Sequence, residues 1–183
     1  MTRIILDLCG GTGAWSQPYR DAGYDVCLVT LPDDDVRTFN PYTVRGDVHG
    51  VLAAPPCTEF AVSGARWWKD KSPALLEEAL QIVAGCMSII KHAEPRWWCL
   101  ENPVGRLKDY IGPWKHTFNP CDYGDGFTKR TCLWGDFTMP EKQAHECNHP
   151  ITPGWRLGPS PERNRLRSIT PPGFARAFFE ANP

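Results

Sequence analysis

The chain has 183 residues and a mass of 20.6 kDa, which fits one ordinary domain with a sizeable core and leaves little room for a second. Charged residues make up 22% of it and the formal net charge is -1, so any binding to nucleic acid needs a local patch. We find neither the long apolar region of a signal peptide nor a stretch of membrane-spanning length. We therefore expect one domain over residues 1–183, a cytoplasmic location and no membrane partner.

Eight cysteines are scattered through the chain, which is rich in core-forming residues. They include no CxxC pair, and no secretory signal accompanies them. Because disulfide frameworks belong mainly to small secreted domains, we expect reduced thiols.

Predicted strands and helices alternate along the chain. Four apolar runs predict buried strands: residues 3–8 (RIILDL), 24–30 (YDVCLVT), 50–54 (GVLAA) and 96–100 (RWWCL). Between 72 and 91, apolar side chains recur at three- and four-residue steps, which predicts a helix with Ser72 as its N-cap and Pro73 at its first position. This alternation predicts an α/β fold with a mostly parallel sheet and helices on both faces.

Unusual stretches follow the predicted strands directly. They are DLCGGTG, LPDDD, PPCTEF and ENP. Ligands of parallel sheets lie at the carboxyl ends of the strands, so we expect these stretches to converge on one rim. The glycine turn would let the backbone approach a ligand closely, and a carboxylate of LPDDD would bind ribose hydroxyls. A plain glycine turn and a solvated acidic turn remain the alternatives.

Four longer segments occur in a fixed order between residues 7 and 135: DLCGGTGAWS, PPCTEFAVSGAR, LENPVGRL and YGDGFTKRTCLWG. They resemble the S-adenosylmethionine loop, nucleophile loop, ENV motif and QxRxR strand of the DNA cytosine-5 methyltransferase family. PPGFARAFFEA is similar to the helix that completes the family's cofactor pocket. The resemblance implies a Rossmann-like, S-adenosylmethionine-dependent methyltransferase fold and methyl transfer to carbon 5 of cytosine in DNA.

The resemblance makes Cys57 the catalytic nucleophile, which would add to carbon 6 of cytosine so that carbon 5 can attack a methyl group. Its alternative is a small buried apolar residue. A nearby cation would favour the thiolate, and Arg66 and Arg130 are the candidates.

Glu101 and Arg130 complete the catalytic residues that the resemblance implies. Glu101 would contact ring nitrogen 3 and the exocyclic amine, while Asn102 fixes the loop. Arg130 would hold the base or its flanking phosphate, with a surface arginine as the alternative. Thr128 and Cys132 replace the glutamine and the second arginine of the QxRxR motif, which leaves the fine positioning of the base open.

Cofactor and substrate contacts follow from the same motifs. The expected cofactor residues are Asp7, Leu8, Cys9, Gly11, Gly13, Trp15, Pro55, and either Asp33 or Asp35. The expected substrate residues are Ser63, Arg66, Asn102, Arg163 and Arg165. The ring of Trp15 would pack against the methionyl part or the adenine ring of the cofactor.

The segment between the QxRxR strand and the last helix departs most from the family. The family has a long target-recognition region there, whereas this chain has only residues 136–170. The stretch ERNRLR carries Arg163, Arg165 and Arg167, whose alternate spacing would place three guanidinium groups along one phosphate backbone or form a solvated loop. HECNH, at 145–149, offers His145, Cys147 and His149, and His116, Cys121 and Cys132 lie upstream. Zinc needs four ligands, and because no CxxC spacing supports a site we expect no metal.

A cytosine inside a duplex has to be flipped out or presented in a single strand before such a pocket can reach it. With so short a recognition segment, we expect very short sequence specificity, action at many sites, or target recognition supplied by a second copy or a partner protein. A non-catalytic relative that binds cofactor or DNA is one alternative function. A cytosine-modifying enzyme acting on RNA or free nucleotide is another. The expected setting is a bacterial or phage-infected cell, where a small enzyme of this kind would serve restriction protection.

Overall fold

A computed structural model of the chain describes residues 2–143, 157–158 and 160–183. The strands are β1 (Arg3–Leu8), β2 (Asp25–Val29), β3 (Asp47–Ala53), β4 (Trp97–Pro103), β5 (His116–Phe118) and β6 (Thr131–Asp136). The α-helices are α1 (Gln17–Asp21), α2 (Pro73–Ala93), α3 (Lys108–Ile111), α4 (Pro161–Ser168) and α5 (Pro172–Ala181). Short 3-10 helices cover Pro41–Thr43, Val62–Asp70 and Pro120–Tyr123.

The strands form one sheet in the order β2-β1-β3-β4-β6-β5. Neighbours from β2 to β4 run parallel, and β6 runs antiparallel to both β4 and β5. Leu8 lies opposite Val29 and Ala53, so β1, β2 and β3 end at the same rim. There Thr131, the first residue of β6, lies opposite Pro103, the last of β4. The α/β fold with a mostly parallel sheet is therefore confirmed.

Helices cover both faces of the sheet. Leu6 and Val51 pack in one buried cluster with side chains of α2. Their neighbours Ile5 and Leu52 point to the opposite face, because successive strand residues alternate, and pack there with Tyr19 of α1 and with α5.

Helix α2 begins as the sequence predicts. Ser72 accepts a hydrogen bond from the backbone of Ala74, and Pro73 is the first helical residue. Helix α2 has 21 residues and contains a window of mean hydropathy 1.4, so it is long and apolar enough to cross a membrane. By length and composition, the expectation that no stretch reaches membrane-spanning length was therefore wrong. This is weak evidence for a membrane span, because a helix packed on a core passes the same test. Val83 and Ile89 of α2 are buried against the sheet.

The cysteines differ in part from the expectation. Free thiols occur at Cys9, Cys27, Cys57, Cys86, Cys99 and Cys132. Cys121 is disulfide-bonded, so the expectation of reduced thiols is wrong at that position. Within the described residues no group of His, Cys, Asp and Glu could hold a metal ion, and the HECNH segment lies outside them.

Candidate active site

The turn after β1 uses left-handed backbone. Cys9, Gly11 and Gly13 have φ angles of 56°, 55° and 71°. Position 10 requires a glycine for a different reason: the Cβ of any other residue would lie 2.3 Å from Oδ1 of Asp7. Gly10 was therefore missed by the sequence assignment, although the glycine pair in DLCGG was a signal for it.

Asp7 lies fully buried beneath this turn. Its Oδ2 accepts a hydrogen bond from the Ser16 hydroxyl, and its Oδ1 has no partner among the described residues. Burial raises the pKa of the Asp7 carboxyl to about 6, against the opposing effects of the Ser16 hydrogen bond and the Arg20 charge. Asp7 thus supports the turn from below.

Two residues assigned to the cofactor belong to the core instead. Trp15 is only 2% exposed, and its ring lies against Phe178 and Phe174 of α5 at centroid distances of 5.5 and 5.9 Å. Leu8 is fully buried, and its carbonyl accepts a hydrogen bond from the backbone of Ala54. Neither side chain has surface left for a ligand, so the predicted packing of the Trp15 ring on the cofactor was wrong.

A cavity of about 130 Å³ lies beside the glycine turn. Its lining includes Cys9 from the turn, Pro56 from the loop after β3, and Asp34 and Asp35 from the loop after β2. Asp33 is exposed and lies outside this lining. Three of the four predicted stretches thus meet at one rim, as expected.

The two acidic residues at the cavity differ in their surroundings. Asp35 is held by the guanidinium of Arg37, whose hydrogen bonds lower the pKa of that carboxyl. Asp34 is exposed and makes no ion pair within the part of the chain that the structure describes. The sequence offered all three acids of LPDDD for the ribose hydroxyls, and the assignment was then narrowed to Asp33 or Asp35, which left out Asp34.

The fourth stretch is joined to the loop after β3 by a buried hydrogen bond. The Asn102 side chain donates from Nδ2 to the carbonyl oxygen of Pro55 at 2.9 Å. A turn then begins at Cys57, whose carbonyl accepts hydrogen bonds from the backbone of Phe60 and Ala61. Pro55 is buried, so Pro56 is the proline that reaches the cavity.

The charge of Glu101 acts on the thiol of Cys57, and we call these two residues the thiol–carboxyl pair. Burial first, and then the Glu101 charge, raise the pKa of the Cys57 thiol, while Lys129 and Arg167 lower it. Burial also raises the pKa of Glu101, opposed by Lys129. Oε2 of Glu101 is buried without a partner among the described residues. Cys57 as a residue is half-buried.

The two predicted cations lie elsewhere. Arg130 is exposed, and its charge is not among those that shift the pKa of Cys57. The guanidinium carbon of Arg66 lies 3.8 Å from the centroid of the Trp67 ring, over its face. The expectation that Arg66 and Arg130 favour the thiolate was therefore wrong, and Lys129 does so instead.

The 3-10 helix Val62–Asp70 follows Cys57 and presents part of its surface to solvent. Ser63 is exposed, as is Trp67, at 48%. Trp68 is half-buried, with the guanidinium carbon of Arg106 at 4.5 Å from its ring centroid. Aromatic and guanidinium groups are thus stacked beside the nucleophile loop.

The arginine stretch is helical, within α4. Residues four apart share a helix face, so Arg163 and Arg167 lie together while Arg165 points away. Arg165 pairs with Glu162 at 2.8 Å. The expected row of three arginines along one phosphate backbone was therefore wrong. The side chain of Lys129 donates to the carbonyl oxygen of Arg167 at 2.9 Å, which joins α4 to the rim.

Comparison with solved structures defines the class of protein. The chain is similar to a protein described as a DNA modification methyltransferase encoded within an E. coli prophage, with a TM-score of 0.53 and 15% identity over 73% of this chain and 46% of that one. This likeness shows a methyltransferase fold.

Comparison with curated proteins gives the family. The chain is 35% identical over 149 residues to the "Probable DNA (cytosine-5)-methyltransferase" of Frog virus 3 (isolate Goorha), covering 72% of this chain and 70% of that protein. It is 27% identical over 124 residues to the type II methyltransferase M.DdeI of Desulfomicrobium norvegicum, covering 56% of this chain and 28% of M.DdeI. No protein-family model matches. The chain belongs to the DNA cytosine-5 methyltransferase family and is an enzyme of that kind.

Proposed function

We propose that this enzyme transfers a methyl group from S-adenosylmethionine to carbon 5 of cytosine in DNA through a covalent Cys57 adduct at carbon 6. The thiol–carboxyl pair carries the proposal. Asn102 ties the loop that bears Cys57 to the strand end that bears Glu101. Oε2 of Glu101 has no hydrogen-bond partner among the described residues, and we assign it to the target ring.

S-adenosylmethionine would supply the methyl group as an electrophilic sulfonium. The residues around the cavity fit such a donor. A Cβ at Gly11 would meet no atom within 4 Å, so the backbone of the turn is open to a ligand. Val36 and Ile82 give the cavity apolar walls suited to a purine, and Asp34 and Asp35 offer carboxylates to ribose hydroxyls.

Cys57 and Glu101 divide the chemistry between them. The thiolate of Cys57 forms a bond to carbon 6, and Glu101, whose raised pKa favours its protonated form, holds a proton at ring nitrogen 3 as charge develops. Carbon 5, made electron-rich by this addition, would then take the methyl group that the sulfonium supplies, and the sulfur would leave as a neutral thioether. The proton of carbon 5 leaves to water, and departure of the thiolate restores the double bond.

The substrate surface surrounds this pair. We assign Arg130, which is exposed at the rim, to a phosphate that flanks the target base. The stacked Arg66 and Trp67, with Ser63 beside them, would contact the flipped or single-stranded nucleotide. Arg163, on α4, would bind a further phosphate.

Target recognition would come from a second copy or a partner protein, because residues 136–170 are few for a recognition domain. The setting we propose is the cytoplasm of a bacterial or phage-infected cell.

The test is to incubate the protein with labelled S-adenosylmethionine and, separately, DNA, RNA and free cytidine nucleotides, and to analyse the bases by mass spectrometry. We expect label in 5-methylcytosine from DNA. Cys57→Ala should lower turnover on the order of 10⁴-fold or more, with cofactor affinity unchanged because Cys57 does not line the cavity. The matched control is Cys27→Ala, a partly buried free cysteine on β2.

Each alternative gives a different result. Turnover retained by Cys57→Ala contradicts the assigned nucleophile. Label in RNA or nucleotides alone assigns the enzyme to those substrates. Cofactor binding without any labelled product indicates a non-catalytic relative.

A further inference from the structure

Positive charge reaches the thiol–carboxyl pair from the segment that leads into β6. Because β6 runs antiparallel to β4, with Cys132 opposite Asn102 and Thr131 opposite Pro103, the residues before Thr131 lie at the rim where β4 ends. Lys129 lies in this segment. Cys132 itself is buried and brings no positive charge to the rim.

Helix α4 holds Lys129 in place. Nζ of Lys129 donates a hydrogen bond to the carbonyl oxygen of Arg167 in the last turn of α4. Carbonyls in a last turn lack partners within the helix and carry partial negative charge, so an ammonium group is favourable there. Lys129 and Arg167 also line a cavity of about 110 Å³ with Leu166 and Ile169. These apolar neighbours reduce the screening of both charges by water.

The charges around Cys57 act on its thiol in opposite directions. Glu101, on β4, opposes deprotonation of the thiol, whereas Lys129 and Arg167 favour it. Within the described part of the chain, these three are the charged groups that act on the thiol. Arg130, adjacent in sequence, is exposed.

We propose that Lys129 is a positioning residue that stabilises Cys57 as the thiolate beside Glu101, and that α4, part of the short segment between β6 and α5, sets Lys129 in place. The inference rests on the proposed function, because the thiolate is needed for attack on carbon 6. If Lys129 acts in this way, the segment between β6 and α5 contributes to the chemical step through α4, in addition to any contact that it makes with DNA.

The experiment measures the reactivity of one thiol with and without the Lys129 charge. Lys129→Gln removes the charge and keeps a donor for the Arg167 carbonyl, whereas Lys129→Arg keeps the charge. The matched control is Lys115→Gln, a lysine 57% exposed beside β5. Alkylation of Cys57 by iodoacetamide is followed from pH 6 to 10 by mass spectrometry of its peptide. This readout needs neither DNA nor cofactor. The pH profile of kcat is measured in parallel, and thermal unfolding verifies the fold.

We expect Lys129→Gln to move the alkylation profile of Cys57 upward by about one pH unit, which lowers the rate at neutral pH about tenfold. The acidic limb of the kcat profile should move in the same direction. Lys129→Arg should restore both profiles, and Lys115→Gln should match the wild type. Arg167→Ala keeps the backbone acceptor and should give a smaller upward shift.

Three results separate the inference from the proposed function. Identical profiles for Lys129→Gln and Lys115→Gln overturn the inference, as does a Lys129→Arg profile that matches Lys129→Gln. An upward shift in a protein that methylates no DNA supports the role of Lys129 and overturns the proposed function. Normal DNA methylation with an unshifted profile overturns the inference alone.

Discussion

The buried carboxyl of Asp7 makes the stability of this protein depend on pH in a defined direction. Burial raises its pKa from 3.8 to about 6, so the folded state holds the proton of Asp7 more tightly than the unfolded state does. The resulting stabilisation is complete below the unfolded value and is lost as the pH rises through the folded value. The difference between the two values corresponds to a loss of roughly 3 kcal/mol.

Replacing Asp7 with Asn tests this reasoning. The amide oxygen still accepts the hydrogen bond from Ser16, and the ionisable group is gone. Urea unfolding from pH 3.5 to 8 should show equal stability at the acidic end and an advantage of up to about 3 kcal/mol for Asp7→Asn above pH 7. Asp136→Asn, at a side chain 85% exposed, is the control and should show no such divergence. A difference between wild type and Asp7→Asn that is constant across the pH range would refute the argument.

Two further substitutions test the rim. In Gly10→Ala the new Cβ would lie 2.3 Å from the buried carboxyl beneath the turn, so we expect a loss of roughly 2 kcal/mol in urea unfolding and weaker cofactor binding by calorimetry. Gly158→Ala, with open space around its Cβ, is the control, and equal affinity in the two variants contradicts the claim. Asn102→Ala leaves the buried Pro55 carbonyl without its donor, which should cost about 1–3 kcal/mol and lower kcat more than cofactor affinity. Unchanged kcat would show that the loop after β3 does not depend on this hydrogen bond.

The central strands were predictable because each contains a continuous run of apolar residues. Residues 3–8 form β1 with the predicted bounds. β3 is longer than GVLAA, because Asp47 pairs with Arg3 of β1 and extends the strand upstream. The three-residue strand β5 was missed, because its existence depends on pairing with β6 rather than on its own sequence.

The site was predictable where local backbone chemistry determines it. Pro56 and Cys57 follow a buried strand, and Glu101 lies two residues before the end of another, so topology alone brings them to one rim. The choice between Lys129 and Arg130 could not be made in this way, because successive side chains of extended backbone point in opposite directions and only the tertiary register decides which faces inward.

The α4 helix was missed despite a signal in the sequence. Ser160 accepts a hydrogen bond from the backbone of Arg163, Pro161 follows as the first helical residue, and Glu162 lies in the first turn. Ser-Pro-Glu is a typical helix start. Recognising it would have placed Arg163 and Arg167 on one face.

The position of Cys57 explains why the last part of the chain matters for chemistry. Burial and the neighbouring Glu101 both raise the pKa of the Cys57 thiol, and this rise exceeds the opposing effects in the whole chain. The charges that oppose it come from Lys129 and Arg167, on the segment before β6 and on α4. Helix α5 follows α4 directly and packs Phe178 against Trp15, beside the glycine turn. Docking of α4 and α5 onto the sheet therefore supports both the thiolate and the turn beside the proposed cofactor cavity, so loosening this contact should impair both together.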